Sequence, residues 1–408
     1  MRVALFTESF DPVINGVSTS VKTLACEMAK AGHGSLIVAP EYPGYADDPR
    51  DLPDAVTVRR LPSWRLWVNP ENPFAYPPMR LLPMPEAYRH EAFDVVHSQQ
   101  PFGIGLHAQD AARRKNVPLV STFHTLYTEY AHYVPVMPRR ITRRIVAAYL
   151  SGYYNACAAV VTPSVVMRDL LLSLGVRESL VHVVPTGIPA APVVLSAARE
   201  RVRETYRIPP LAPILLFVGR LAPEKNLPAL FEAFAHLSHA HPATAPQSHP
   251  FLLIVGSGAF RARCEQIAHE RGVEMYLRFA GFLNRQQLAP VYAASTLFVF
   301  ASVTETQGVV IGEAQSFGLP CVLMRGGGAS EFVRSGEDSV VTAPEVAPFA
   351  AAIRALLDDE PERKRLGRNT LTSPLRPTPD GMAQTLLALY ANVAKPANPL
   401  RIERTDTR

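Results

Sequence analysis

Short runs of β-branched and aliphatic residues recur along this chain, each followed by a stretch of helical spacing, and the series runs twice. The first set comprises RVALFT (2–7), SLIVAP (35–40), VTVRRLP (56–62), DVVHSQ (94–99), LVSTFHT (119–125), AAVVTPS (158–164) and VHVVPTG (181–187). The pattern restarts with PILLFVGRL (213–221), then FLLIVGSG (251–258), YLRFAGF (276–282), TLFVFAS (296–302) and PCVLMRGGG (320–328). Runs of this length separated by helices are βα units, which build parallel sheets buried on both faces. The expected fold is α/β, with two doubly wound parallel-sheet domains around a central cleft. Their expected bounds are 1–190 and 191–375, joined through the proline-rich stretch PTGIPAAPVVLS (185–196), with a C-terminal helix at 376–397 and a polar tail at 398–408. Ligands of such sheets bind beyond the carboxyl ends of the strands, so chemistry is sought just after each run.

Composition excludes several other classes. Apolar residues make up 48% and charged residues 19%, which is a core-forming balance. Lys and Arg exceed Asp and Glu by 41 − 36 = 5, too few for a protein that coats nucleic acid, but enough for a local basic patch. MRVALFTESF reads as a buried first strand rather than a targeting segment, and no apolar run is long enough for a spanning helix. Cys26, Cys157, Cys264 and Cys321 are far apart, so neither a zinc ribbon nor a disulfide framework is expected, and a reduced cytoplasmic setting is.

Five segments carry candidate chemistry. TETQGVVIGEAQSFGLP (304–320) places Glu305 in a loop after a strand and Glu313 within the following helix. The helix start near Gly308 and Val309 offers free N–H groups to phosphate oxygens, and Glu313 is placed for a ribose diol. Two acids at this spacing are common; Gly308, Gly318 and Pro320 around them make the block specific. In FVGRLAPEKN (217–226), Arg220 and Lys225 follow a strand end, as a diphosphate requires. No Asp-x-Asp pair exists, so the usual ligands of a metal-dependent sugar-nucleotide site are missing and no metal is expected. SFDPVINGVSTSV (9–21) puts Gly16 before a helix, without the G-x-G-x-x-G of a nicotinamide site. His124, in STFHTLYTEYAHY (121–133), follows a strand and can bond a hydroxyl; for a lone histidine a satisfied polar residue at a strand end is the commoner explanation. Finally, PRRITRRIVAAYL (138–150) gathers Arg139, Arg140, Arg143 and Arg144 within an arc of ~140° on a helix. Ile141, Ile145, Ala148 and Tyr149 take the other side. Such a helix can lie on an anionic bilayer or simply present a solvated face.

Together these residues resemble the retaining glycosyltransferases of family 4, which have the GT-B fold of two Rossmann-like domains. The Asn15-Gly16-Val17 loop, VGRLAPEKN and ETQGVVIGEA occur in the family's order over nearly the whole chain. The resemblance implies Arg220 and Lys225 on the donor diphosphate, Glu313 on the ribose and Glu305 on the donor sugar. It places the Gly308 and Val309 amides at the sugar and phosphate, Gly16 over the diphosphate, and His124 as the active-site histidine of an acceptor-binding N-terminal domain. LLALYAN (386–392) would cross back to that domain. FHTLYTEYAHYV and PTGI look most like the diacylglycerol glucosyltransferases, with related segments in lipid α-mannosyltransferases. Gln307 stands where phenylalanine is commonest in the wider family, and GGGASE (326–331) lacks a proline often found before its glutamate.

The implied chemistry is front-face attack by the acceptor hydroxyl with retention of configuration, no covalent carboxylate intermediate and no cofactor. The donor would be a UDP-hexose or GDP-mannose, the acceptor a lipid such as diacylglycerol. The setting would be cytoplasmic and peripheral on the inner face of an anionic membrane, with no nucleic-acid partner. A soluble acceptor, a sugar-nucleotide-binding regulator without turnover, and an epimerase are the alternatives. The Glu-x₇-Glu block fits the last of these poorly.

Overall fold

The computed structural model describes residues 1–64, 74–75, 84–124, 139–240 and 248–394. The strands are β1 (Arg2–Phe6), β2 (Gly34–Pro40), β3 (Val56–Leu61), β4 (Ser63–Trp64), β5 (Phe74–Ala75), β6 (Val95–Ser98), β7 (Leu119–Thr122), β8 (Ala159–Thr162), β9 (Val181–Val183), β10 (Ile214–Val218), β11 (Phe251–Val255), β12 (Leu277–Gly281), β13 (Leu297–Phe300), β14 (Cys321–Met324) and β15 (Ser339–Thr342). The helices are α1 (Gly16–Lys30), α2 (Glu86–Arg89), α3 (Ile104–Lys115), α4 (Arg139–Asn155), α5 (Val165–Ser173), α6 (Ser196–Thr205), α7 (Leu227–Ala240), α8 (Arg261–Glu270), α9 (Arg285–Ala294), α10 (Val309–Ser316), α11 (Val346–Asp358), α12 (Glu360–Leu371) and α13 (Pro379–Ala394).

Two parallel sheets result, ordered β3-β2-β1-β6-β7-β8-β9 and β12-β11-β10-β13-β14-β15. The central strands are buried along their whole length, as ILLFV of β10 and LFVF of β13 show, because helices cover both faces. Each sheet starts in its middle, winds outward to one edge and then restarts on the other side. The winding reverses between β1 and β6 in the first sheet and between β10 and β13 in the second. A crevice opens at such a reversal, because the connections on its two sides leave toward opposite faces. The expected strands all appear. The sixth strand of the second sheet, β15, is not among the expected runs: it is four residues long, half-buried at an edge and preceded by the polar Gly336-Glu337-Asp338.

The chain crosses between the domains twice. After leaving the second sheet it returns as α13, which packs on α1. Met382, Ala383, Leu386, Leu389 and Tyr390 of α13 join Val3, Leu5, Val21, Leu24 and Val120 in one apolar core. Tyr390 donates or accepts at His97 Nδ1 (2.6 Å), and the other ring nitrogen of His97 meets Thr122 Oγ1 at 2.7 Å. Burial pushes the His97 pKa down to about 3, so the ring is neutral and needs both neighbours.

The returning helix is thus structural material of the N-terminal domain. Leu386 is 4% exposed in that core. Leu386→Ala is expected to cost about 2–5 kcal/mol, read as a lower urea midpoint for the loss of near-ultraviolet circular dichroism; an unchanged midpoint would contradict this packing.

Candidate active site

The loop after β10 carries Arg220 and Lys225, and the loop after β13 carries Glu305, so both flank the reversal of the second sheet. Lys225 Nζ and Glu305 Oε1 meet at 2.5 Å, with side-chain exposures of only 19% and 14%. Glu224 ties the two loops further: its carbonyl accepts from Ser302 Oγ (3.1 Å) and Thr304 Oγ1 (3.3 Å). Asn226 Nδ2 donates to the Ala301 carbonyl at 3.1 Å. Arg220 is 55% exposed along its side chain and reaches Glu224 Oε1 at 2.6 Å. A third loop sets their height. Gly256 has φ +138°, and a Cβ there would lie 1.9 Å from the Gly219 carbonyl oxygen; Gly258 has φ +157°, with a Cβ 2.2 Å from the Leu221 carbonyl oxygen. Only glycine lets the backbone approach this closely.

Gly308 adopts a left-handed conformation (φ 73°) and begins α10, which no side chain caps. The first amides of α10, Val309 among them, are therefore open donors at the positive end of the helix dipole, a natural seat for phosphate oxygens. Glu313 follows one turn on and accepts a hydrogen bond from Tyr292 Oη at 2.9 Å. Burial raises its pKa above the ordinary 4.5, against the Tyr292 hydrogen bond and the Arg285 charge, which both lower it. Hydroxyl donors of a ribose would suit this half-buried carboxyl.

The N-terminal domain contributes the loops after β1, β6 and β7. Gly16 is exposed at the first position of α1, and a Cβ there would meet nothing within 4 Å. The helix start is less open than its sequence suggests. Asn15 Oδ1 already accepts from the amides of Val17 (2.9 Å) and Ser18 (3.0 Å). His124, just past β7, has its Nε2 at 2.7 Å from Gln99 Oε1. Burial brings its pKa down to about 4, so it is neutral near pH 7 and acts through hydrogen bonds rather than charge.

The structure therefore joins Lys225 with Glu305, places Gly308, Val309 and Glu313 on one helix beside them, and sets Gly16 and His124 on the first domain. The arginine stretch is helical, as its spacing predicts. The helix exists as α4, but its core face is Thr142, Leu150, Tyr153 and Tyr154, whereas Ile141 (49%) and Ile145 (52%) are exposed. Arg144 and Ala148 are exposed with them. Of the apolar side, Ile141, Ile145 and Ala148 thus face solvent while Tyr149 is half-buried, and the buried turns are supplied by Leu150, Tyr153 and Tyr154 further along α4. The side chains of Arg139, Arg140 and Arg143, and residues 125–138, 241–247 and 395–408, lie outside the described residues.

Sequence reasoning overlooked three site neighbours. Gln99 holds His124. Glu331 accepts from the amides of Val165 and Val166, both at 2.8 Å, and so caps α5 from the opposite domain. Ser164 Oγ donates to the Thr306 carbonyl at 2.7 Å beside it. A glycine pair after a strand, Gly256 and Gly258, was the one signal in the sequence for the loop that supports Arg220.

Two doubly wound parallel-sheet domains, the second with cations and an uncapped helix start at its strand ends, define the GT-B fold. The Anabaena protein HepE, solved with UDP and glucose, superposes with a TM-score of 0.75 at 18% identity over 96% of this chain and 100% of that one. The sucrose-phosphate synthase of Thermosynechococcus elongatus does so at 0.75 and 22% identity, over 96% and 98%. The family model for Glycosyltransferase Family 4 matches residues 14–191, and that for Glycosyl transferases group 1 matches 198–372. A GDP-mannose-dependent α-mannosyltransferase of Mycobacterium tuberculosis is 32% identical over 82% of this chain and 81% of its own length. An α-monoglucosyldiacylglycerol synthase of Streptococcus pneumoniae is 28% identical over 79% and 70%. The chain belongs to glycosyltransferase family 4.

The raised pKa of Glu313 has a thermodynamic consequence. The folded state holds this proton more tightly than the unfolded state, so stability falls as pH rises from 4.5 through the raised value. Glu313→Gln should gain stability relative to the parent across that window, read from unfolding midpoints. A difference that stays constant from about pH 4 to 7 would contradict the burial of this carboxyl.

Proposed function

We propose that this enzyme is a retaining, metal-independent transferase that moves a hexose from a nucleotide-diphosphate sugar to a lipid acceptor such as diacylglycerol, making an α-glycolipid. The observation that carries the donor half is the Lys225–Glu305 pair beside the uncapped start of α10. The diphosphate takes Lys225 and Arg220 as its cations and the Gly308–Val309 amides as donors, leaving Glu305 for the sugar hydroxyls and Glu313 for the ribose. Gly16, at the exposed start of α1, would close over the diphosphate from the first domain.

In the reaction the acceptor oxygen bonds to the anomeric carbon on the face from which the diphosphate departs. The bond from that carbon to the β-phosphate oxygen breaks, and the acceptor proton passes to that phosphate. Charge grows on the leaving diphosphate, where Arg220, Lys225 and the α10 dipole are fixed in advance, so they stabilise the transition state more than the ground state. Neutral His124 orients a hydroxyl from the first domain. No cofactor is needed.

The lipid acceptor is supported by likeness to the α-monoglucosyldiacylglycerol synthases and by the exposed Ile141, Ile145 and Arg144 on α4. An apolar stripe beside a cation suits the surface of an anionic bilayer, and among the described residues no helix is long and apolar enough to cross one. The enzyme would then work on the inner face of the cytoplasmic membrane. Likeness to the GDP-mannose-dependent α-mannosyltransferases supports a second reading, with GDP-mannose as donor. A soluble sugar or metabolite as acceptor is the remaining alternative.

UDP-glucose and GDP-mannose, each offered with diacylglycerol in mixed micelles, should yield a glycolipid with one donor; none with either would sink the lipid reading. Lys225→Ala should lower kcat/KM by about 10²–10³ with an unchanged far-ultraviolet spectrum, and an active variant would refute the phosphate role. Joint Ile141→Asp and Ile145→Asp substitution should abolish flotation with anionic vesicles. Equal flotation of this variant and the parent would remove α4 from the membrane contact.

A further inference from the structure

The two chain crossings between the domains run side by side. On the outgoing crossing, Ile188 N donates to the Pro377 carbonyl of the returning one at 2.8 Å. At Gly187 a Cβ would sit 2.4 Å from Pro379 Cα, so backbones touch there. Bending of one domain against the other must pass through this junction, since it holds both covalent links. The donor motif is bolted to it at two points. Gln307, 4% exposed, pairs its amide with both backbone groups of Thr186: its Oε1 accepts from Thr186 N (2.8 Å), and its Nε2 donates to the Thr186 carbonyl (2.9 Å). Further along α10, Gly312 faces Ile188, where a Cβ would come within 2.7 Å of Ile188 Cγ1. On the far side, Thr186 Oγ1 donates to Ser20 Oγ of α1 at 3.3 Å. A continuous line of contacts thus runs from α1, through the junction, to Gln307, which lies between Glu305 and Gly308.

We propose that Gln307 is a positioning residue that couples closure of the two domains to the shape of the donor loop. It touches no reacting atom. Its amide fixes the backbone between Glu305 and Gly308 to the junction, so the sugar-facing carboxylate and the phosphate-facing amides are aligned when the crossing has the geometry seen here. Two hydrogen bonds to the N–H and C=O of one residue are the least that fixes both distance and orientation. A hydrophobic residue of similar volume would fill the space and leave the Thr186 N–H and C=O without partners. The inference rests on the transferase reading of the Glu305–Gly308 loop.

Gln307→Leu and Gln307→Glu separate this role from simple packing. The leucine variant should lose about tenfold to a hundredfold in kcat, while its affinity for UDP or GDP, measured calorimetrically, changes less than about threefold because Arg220, Lys225, Glu313 and the α10 amides, all of the second domain, supply most of that cradle. The glutamate variant keeps the shape, but only its protonated carboxyl can donate to the Thr186 carbonyl; ionised, it repels it. Its activity relative to the parent should therefore rise as pH falls, with unchanged circular dichroism over the same range. A leucine variant with near-parental kcat, a loss of nucleotide affinity equal to the loss of kcat, or a glutamate variant whose pH profile parallels the parent's would each overturn the proposal. If the leucine variant fails to fold, the pH profile of the glutamate variant decides alone. An inactive parent with UDP-glucose and GDP-mannose would instead defeat the underlying functional reading.

Discussion

A lysine and a glutamate, each mostly buried, meet at 2.5 Å between the ends of two adjacent parallel strands. Neither charge could sit there alone, since an isolated ion removed from water costs several kcal/mol, whereas its partner offsets most of that. The pair therefore holds the loops after β10 and β13 together before any substrate arrives. Those loops carry Arg220 on one side and the Gly308 helix start on the other. On the proposed reading, a diphosphate entering between them would exchange one set of anionic partners for another without first having to assemble the site. Preorganisation of this kind is what electrostatic catalysis requires.

The pair sits where it does because of winding order. In each sheet the reversal between the first and fourth strands leaves a gap at the carboxyl edge. The second sheet fills its gap with cations and an open helix start; the first presents Gly16, Gln99 and His124 around its own. The return of the chain as α13 completes the first domain, and its Tyr390 reaches His97, two residues from Gln99 on the strand edge that supports His124. Removing this helix would uncover an apolar core and strand a neutral histidine at once.

Much of the site was legible because its residues follow strands at short, fixed distances. Lys225, Glu305, Gly308 and Glu313 lie within a few residues of strand or helix ends, and local pattern locates such ends. Gln99, Gln307 and Glu331 were not legible as structural ties, because their partners His124, Thr186 and Val165–Val166 are 25, 121 and about 165 residues away. Nothing local marks an amide or carboxylate that will find a backbone group in another domain. The α4 helix shows a different limit. Its periodicity was clear, but periodicity fixes which residues share a face and not which face is covered, so it left open whether Ile141 and Ile145 are covered or exposed.

From its sequence alone this chain determined two parallel sheets, the direction in which their functional loops point, and a family signature in those loops. These follow from hydrophobic period, strand length and residues adjacent in the chain, all short-range properties. Tertiary structure alone decided that Lys225 pairs with Glu305, that Glu331 caps a helix of the other domain, that Gln307 grips the junction, and which side of α4 meets solvent. Each of these depends on the placement of one completed element against another, and that placement is set by the packing of whole sheets and helices rather than by any segment.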